Sequence, residues 1–220
     1  MHGMAGVIPT NYDLVFEPLF HNFKFNGEEI ITLNLSKPTN SIILDAAELS
    51  IKESHITQGR KIIPAKSSLN EKNEKLTIKL AKKIKGKVKL SIKFTGTLND
   101  RLLGFYRSQY KDGKGKTKYL ATTQFEAADA RRAFPCWDEP AVKATFDVSL
   151  LVDKHLDAIS NMPVTSKRNV GSKILYKFGR TPIMSTYLLY LGVGEFEYLH
   201  GKLRNIKIRI VTTKGNKNKG

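Results

Sequence analysis

Gln124 and Glu126 stand one residue apart, and in an extended segment side chains two positions apart share a face. An amide beside a carboxylate on one face suits a free α-amino group. The ammonium donates several hydrogen bonds, and the carboxylate supplies the opposite charge. Such an anchor selects chain ends, because an internal peptide bond offers no cation. Phe125, between the two, is expected to face the other way, into a core. The competing reading is that Glu126 simply pairs with Arg131 or Arg132.

The stretch 123–140 reads Thr-Gln-Phe-Glu-Ala-Ala-Asp-Ala-Arg-Arg-Ala-Phe-Pro-Cys-Trp-Asp-Glu-Pro. It is too polar for a core strand and too ordered in composition for a linker. Guanidinium forks suit carboxylates, so Arg131 and Arg132 are expected to pair with Asp129, Asp138 and Glu139. That makes Arg131, Arg132, Asp138 and Glu139 supports of the site rather than reactants. Pro135 and Pro140 fix backbone angles, and Phe134 and Trp137 are expected to pack beneath. Cys136 is expected to be buried, and no neighbouring histidine is available to make it a nucleophile.

Other chemistries lack their parts. The five histidines, His2, His21, His55, His155 and His200, are scattered. None forms the H-E-x-x-H pair of a zinc hydrolase, so no metal site is expected in this chain. There is no Gly-rich phosphate loop and no G-x-S-x-G elbow. The net charge of +17 comes largely from lysines. In the segment 87–94 they alternate with apolar residues, as on the wet face of a half-buried strand. Lysines there would also discourage edge-to-edge pairing. An acidic partner surface is the second reading of this charge. Nucleic acid is disfavoured, because no exposed aromatics are interleaved and no binding motif accompanies the lysines.

The elements that must position Gln124 and Glu126 are strands. Apolar residues recur with period two at Tyr12, Leu14 and Phe16; at Ile31, Leu33 and Leu35; and at Leu76, Ile78 and Leu80. Val88, Leu90, Ile92 and Phe94 follow, then Phe146, Val148, Leu150 and Val152. Asn26-Gly27, Lys37-Pro38 and Asp112-Gly113 are expected to turn the chain between runs. The one helical turn expected covers 127–132, stopped by Pro135. The expected fold is all-β, two packed sheets of saddle or sandwich type with largely antiparallel strands. A single domain is expected over 1–220, with its core at about 7–213 and a polar tail at 214–220 that frays. No apolar run is long enough to span a bilayer. The opening residues lack the basic and apolar regions of a secretory signal. A lone cysteine permits no internal disulfide, which fits a cytoplasmic location.

The stretch 123–140 also resembles a signature of the zinc aminopeptidases of the alanyl and puromycin-sensitive type, T-Q-x-E-x-x-x-A-R-R-x-F-P-C-x-D-E-P. Further likenesses lie at Ile8-Pro9-Thr10-Asn11-Tyr12-Asp13-Leu14, Leu103-Gly104-Phe105-Tyr106-Arg107-Ser108, Ile159-Ser160-Asn161-Met162-Pro163, and residues 181–188, so the resemblance covers nearly the whole chain. It implies that Glu126 contacts a substrate's α-amine and that Gln124 borders the pocket for the first side chain. It implies peptide N-termini as substrates and a catalytic domain as partner, in cis or as a separate chain. In that family the zinc sits in the domain after this one. The G-A-M-E-N segment, the H-E-x-x-H ligands and the Tyr donor are all missing here, so this chain is expected to bind no cofactor and to be inactive alone. A branch that also hydrolyses a lipid epoxide tends to carry Gln at the position of Glu126, so a carboxylate there implies plain amine anchoring. The alternative is a non-catalytic scaffold module or one subunit of a split enzyme.

Overall fold

A computed structural model describes residues 6–219; residues 1–5 and 220 lie outside it, and with them His2 and much of the opening segment read above. Among the described residues the regular structure is almost entirely strand. In chain order the strands are β1 Val7–Leu19, β2 Lys24–Asp45, β3 Ser50–Gln58, β4 Lys61–Asn70, β5 Lys75–Thr97, β6 Gly104–Lys111, β7 Thr117–Gln124 and β8 Lys143–Asp153. After these come β9 Asp157–Ser160, β10 Val164–Val170, β11 Lys173–Phe178, β12 Met184–Ser185, β13 Leu191–Gly194, β14 Phe196–Leu203 and β15 Ile206–Thr213. Among the described residues no helix is long and apolar enough to cross a membrane.

The expected period-two faces form the core. A large sheet runs in the order β10-β11-β8-β1-β2-β5-β3-β4, with β12 also on β8. All its pairings are antiparallel except β1 with β8. Tyr12, Leu14 and Phe16 line its inner face with Ile31, Leu33, Leu90, Ile92, Phe146 and Val148, all buried. A smaller sheet, β6-β7-β13-β9, brings Phe105, Ala121, Leu191 and Val193 to the same core. Phe105 meets Phe16 and Phe25 with ring centroids 5.8 and 5.3 Å apart, where packed aromatic pairs normally lie. The strands β14 and β15 form a separate two-stranded ribbon, a third sheet beyond the two expected.

Several local expectations change. Asn26-Gly27 is not a turn but lies inside β2, paired with β1 and β5. Gly27 is there because a Cβ would stand 2.1 Å from the Phe94 ring; close approach of an aromatic, not chain reversal, demands the glycine. Lys37-Pro38 also lies within β2, where register with β5 is lost between Leu35 and Thr39. Asp112-Gly113 does turn the chain, between β6 and β7, with the Asp112 carboxylate accepting the amides of Lys114 and Lys116. The lysines of β5 from Lys79 to Lys93 are exposed as expected, but β5 is an interior strand, so they guard no sheet edge. The tail read as frayed carries a short 3-10 turn, Lys217–Lys219, and the amides of Gly215 and Lys217 donate to the Glu197 carboxylate.

Candidate active site

The strand β7 ends at Gln124, and the alternation continues past it. Thr123 and Phe125 are buried, while Gln124 and Glu126 are exposed. Phe125 points inward to Phe134, ring centroids 6.1 Å apart. The chain then leaves the sheet: the Glu126–Ala127 peptide is cis, the Asp129 amide donates to the Phe125 carbonyl, and a 3-10 turn covers Ala130–Arg132. That turn falls within the stretch expected to be helical. Phe134 is fully buried, edge-on to Tyr12, Phe16 and Phe146.

Long-range polar bonds hold this irregular segment. The backbones of Asp45 and Cys136 exchange two hydrogen bonds, of 2.7 and 3.0 Å. The Asp45 carboxylate accepts the Asp138 amide at 3.1 Å and meets the Lys75 ammonium at 2.5 Å. Arg131 donates from Nε to Asp138 and from Nη1 to Glu74, each at 3.1 Å, with Asp45 3.7 Å away. Arg132 donates to Asp129, Glu48 and Glu74 at 2.9, 2.6 and 2.9 Å. Asp138 also accepts the Thr186 hydroxyl, and Ser185 donates to the Pro140 carbonyl. The segment 181–188, noted in the sequence, thus braces the far end of the signature. Gly104, at φ +67°, is required by close approach: a Cβ there would lie 2.9 Å from that of Arg132.

The electrostatics follow from this arrangement. Partial burial works against the Arg131 charge, but the Asp138 hydrogen bond and nearby Asp45 outweigh it and raise its pKa. Arg132 behaves alike, with Asp129 and Glu48 overcoming burial. Burial first, then the charges of Asp138 and Asp45, push the Cys136 thiol well above its ordinary value, which makes it a poor nucleophile.

Asp129 and Asp138 therefore pair with the arginines as expected, and Glu139 does not. Its partly buried side chain makes no ion pair among the described residues, and its carbonyl instead accepts the Val142 amide. Sequence reasoning missed Asp45, Glu48 and Glu74, which take the place assigned to Glu139. No local spacing reveals them, since they lie more than fifty residues away; the only signal was carboxylates beside buried apolar positions in Leu44-Asp45-Ala46-Ala47-Glu48-Leu49. With both arginines engaged by these partners, Glu126 is left without an ion pair or side-chain hydrogen bond among the described residues. The reading of Glu126 as an arginine partner fails on that geometry.

The site stands open. A cleft of about 310 Å³ lined by Asp13, Glu28, Glu53, His55 and Lys93, among others, shares no residue with the signature. Among the described residues no group of three or more His, Cys, Asp or Glu side chains is placed to hold a metal ion.

Residues 8–188 match the family described as the Peptidase M1 N-terminal domain. The chain belongs to this family. That is the resemblance read from residues 123–140, and the match takes in the four other likenesses as well. Among M1 relatives, puromycin-sensitive aminopeptidase of Caenorhabditis elegans is 42% identical over 218 residues, covering 96% of this chain and 23% of the relative. Aminopeptidase 2 of Candida albicans is 42% identical over 221 residues, covering 98% of this chain and 23% of the relative. Aminopeptidase M1-D of Oryza sativa subsp. japonica is 40% identical over 215 residues, covering 96% and 24%. The M1 chain described here thus spans about a quarter of the length of these relatives.

Proposed function

We propose that this M1 N-terminal domain supplies the substrate-amine anchor of a zinc metalloaminopeptidase that removes single residues from peptide N-termini. Glu126 holds the α-ammonium through charge and hydrogen bonding, and Gln124 borders the space for the first side chain. One observation carries the reading: Glu126 is an exposed carboxylate left free while the two arginines beside it are bound by Asp45, Glu48, Glu74, Asp129 and Asp138. An exposed carboxylate left unpaired among the described residues is available to a cation from outside. Among the described residues no group is placed to hold a zinc ion; the metal, which would activate water and polarise the scissile carbonyl when bound, is assigned in this reading to a catalytic part joined in cis or as a separate chain. By itself this domain binds and orients but does not hydrolyse. The lone buried thiol, Cys136, supports a reducing cytoplasm.

The test is a ¹H–¹⁵N titration of the chain with alaninamide and with N-acetyl-alaninamide. The free amine is expected to shift the Gln124 and Glu126 amides, and the acetylated compound to leave them unmoved. An equal response to both overturns the anchor. Chelator-sensitive hydrolysis of an aminoacyl reporter by the pure chain would overturn its being inactive alone.

A further inference from the structure

Thr122 lies two residues before Gln124 on the same face of β7, about 7 Å along an extended strand. Its hydroxyl donates to the phenol oxygen of Tyr190 at 3.1 Å. Tyr190 is clamped through its backbone on both sides. Its amide donates to the Asn161 side chain at 2.8 Å, and its carbonyl accepts the Ser160 hydroxyl at 2.7 Å. Asn161 also donates to the Leu188 carbonyl at 2.8 Å. The segment 159–163, conspicuous in the sequence but idle in the amine anchor, therefore fixes where Tyr190 stands.

The floor beneath the ring is built for it. Gly192 pairs with Thr122 across β13 and β7. A Cβ on Gly192 would lie 2.9 Å from the Tyr190 phenol oxygen and 3.1 Å from its Cε1. A side chain at 192 would crowd both this ring and Ile159, whose Cγ1 would lie 2.8 Å away. Tyr106 pairs with Thr122 from the other side; burial raises its phenol pKa, and the nearness of Tyr190 raises it further. Yet Tyr190 keeps 37% of its surface exposed. A tyrosine with a fixed backbone, a glycine floor and an open ring is not spent on the core. It offers a rigid apolar surface with little entropy left to lose on contact.

We propose that Tyr190 is a specificity-determining platform on which the first side chain of an amine-bearing ligand rests, favouring aromatic over small side chains. This rests on the reading of Glu126 as the ammonium anchor. Glu126 sets where the chain end sits, and Tyr190, with Thr122 and Tyr106 beside it, sets which side chain is preferred.

The experiment titrates the chain with phenylalaninamide and with alaninamide, followed by ¹H–¹⁵N spectra. Both amides are expected to shift Glu126, and only phenylalaninamide to shift Tyr190 and Thr122. Phenylalaninamide is expected to bind about five- to tenfold more tightly, the usual worth of an aromatic contact. Tyr190→Ala is expected to abolish that ratio, and Tyr190→Phe, which keeps the ring, to retain most of it. The spectrum of each variant reports that it is folded. Shifts at Glu126 with Tyr190 silent, or a ratio surviving Tyr190→Ala, overturn the platform alone. Silence at Glu126 towards both amides overturns the anchor and the platform with it.

Discussion

Residues 125–140 and the ribbon of β14 and β15 hold their shapes in opposite ways. The first is mostly irregular, yet Phe125, Ala130, Phe134, Cys136, Trp137 and Asp138 are buried, and its polar groups reach carboxylates on β2 and next to β5. The ribbon is a regular antiparallel pair from Phe196↔Thr213 to Leu203↔Ile206, yet Leu203, Ile206, Ile208 and Ile210 remain 42–67% exposed. Ladder hydrogen bonds alone give a hairpin marginal stability, because water offers nearly as good a partner to the same groups. Burial and desolvated ion pairs are what make a segment hard to displace. A site that must present Gln124 and Glu126 at fixed positions gains more from the second kind of support.

The comparison breaks most visibly at Asp138, whose side chain is almost completely buried against Arg131. Asp138→Ala strips the Arg131 guanidinium of its most buried partner, leaving it Glu74 and Asp45, and leaves the Arg131 amide and the Thr186 hydroxyl without theirs. The expected loss is about 3–5 kcal/mol, read as a lower urea midpoint with an unchanged slope. An effect below about 1 kcal/mol would mean that the signature is held by packing alone.

Glu29 probes the core beneath. Both its oxygens are buried without a hydrogen-bond partner among the described residues, and burial raises its pKa well above the ordinary value. The unfolded chain ionises this group near pH 4.3, whereas the folded protein keeps it protonated to higher pH. Stability is therefore fully present below that unfolded value and falls as pH rises towards the folded one, by about 1.4 kcal/mol for each unit of separation. Glu29→Gln removes the titration. The variant is expected to match the parent near pH 4 and to exceed it increasingly towards neutrality. Parallel stability curves across that range would contradict this.

The smallest effect is expected in the ribbon. Ile208→Ser should change global stability by no more than about 0.5 kcal/mol, as at other exposed positions. A loss of several kcal/mol on thermal unfolding would show that this face contributes to the fold after all.

Much of the molecule was legible beforehand because strand burial is a local code. Alternation at Tyr12–Leu14–Phe16 or Val88–Leu90–Ile92 states which side is buried whatever lies opposite. The same rule placed Gln124 and Glu126 outward with Phe125 inward. Glycine was less readable: Asn26-Gly27 looks like a turn, and only the Phe94 ring lying over Gly27 explains the residue.

By itself, then, the sequence determined the all-β class, the inward and outward faces of the strands, the outward pair Gln124 and Glu126, and the family, since each is written in neighbouring residues. Tertiary structure alone decided which carboxylates take the arginines, that Glu126 is left unpaired, and that Tyr190 lies over Gly192. Those outcomes depend on the order in which strands assemble, which brings Asp45, Glu48 and Glu74 to Arg131 and Arg132, and Asn161 to Tyr190. Coulomb attraction and hydrogen bonding act over a few ångströms of space, whatever the separation along the chain.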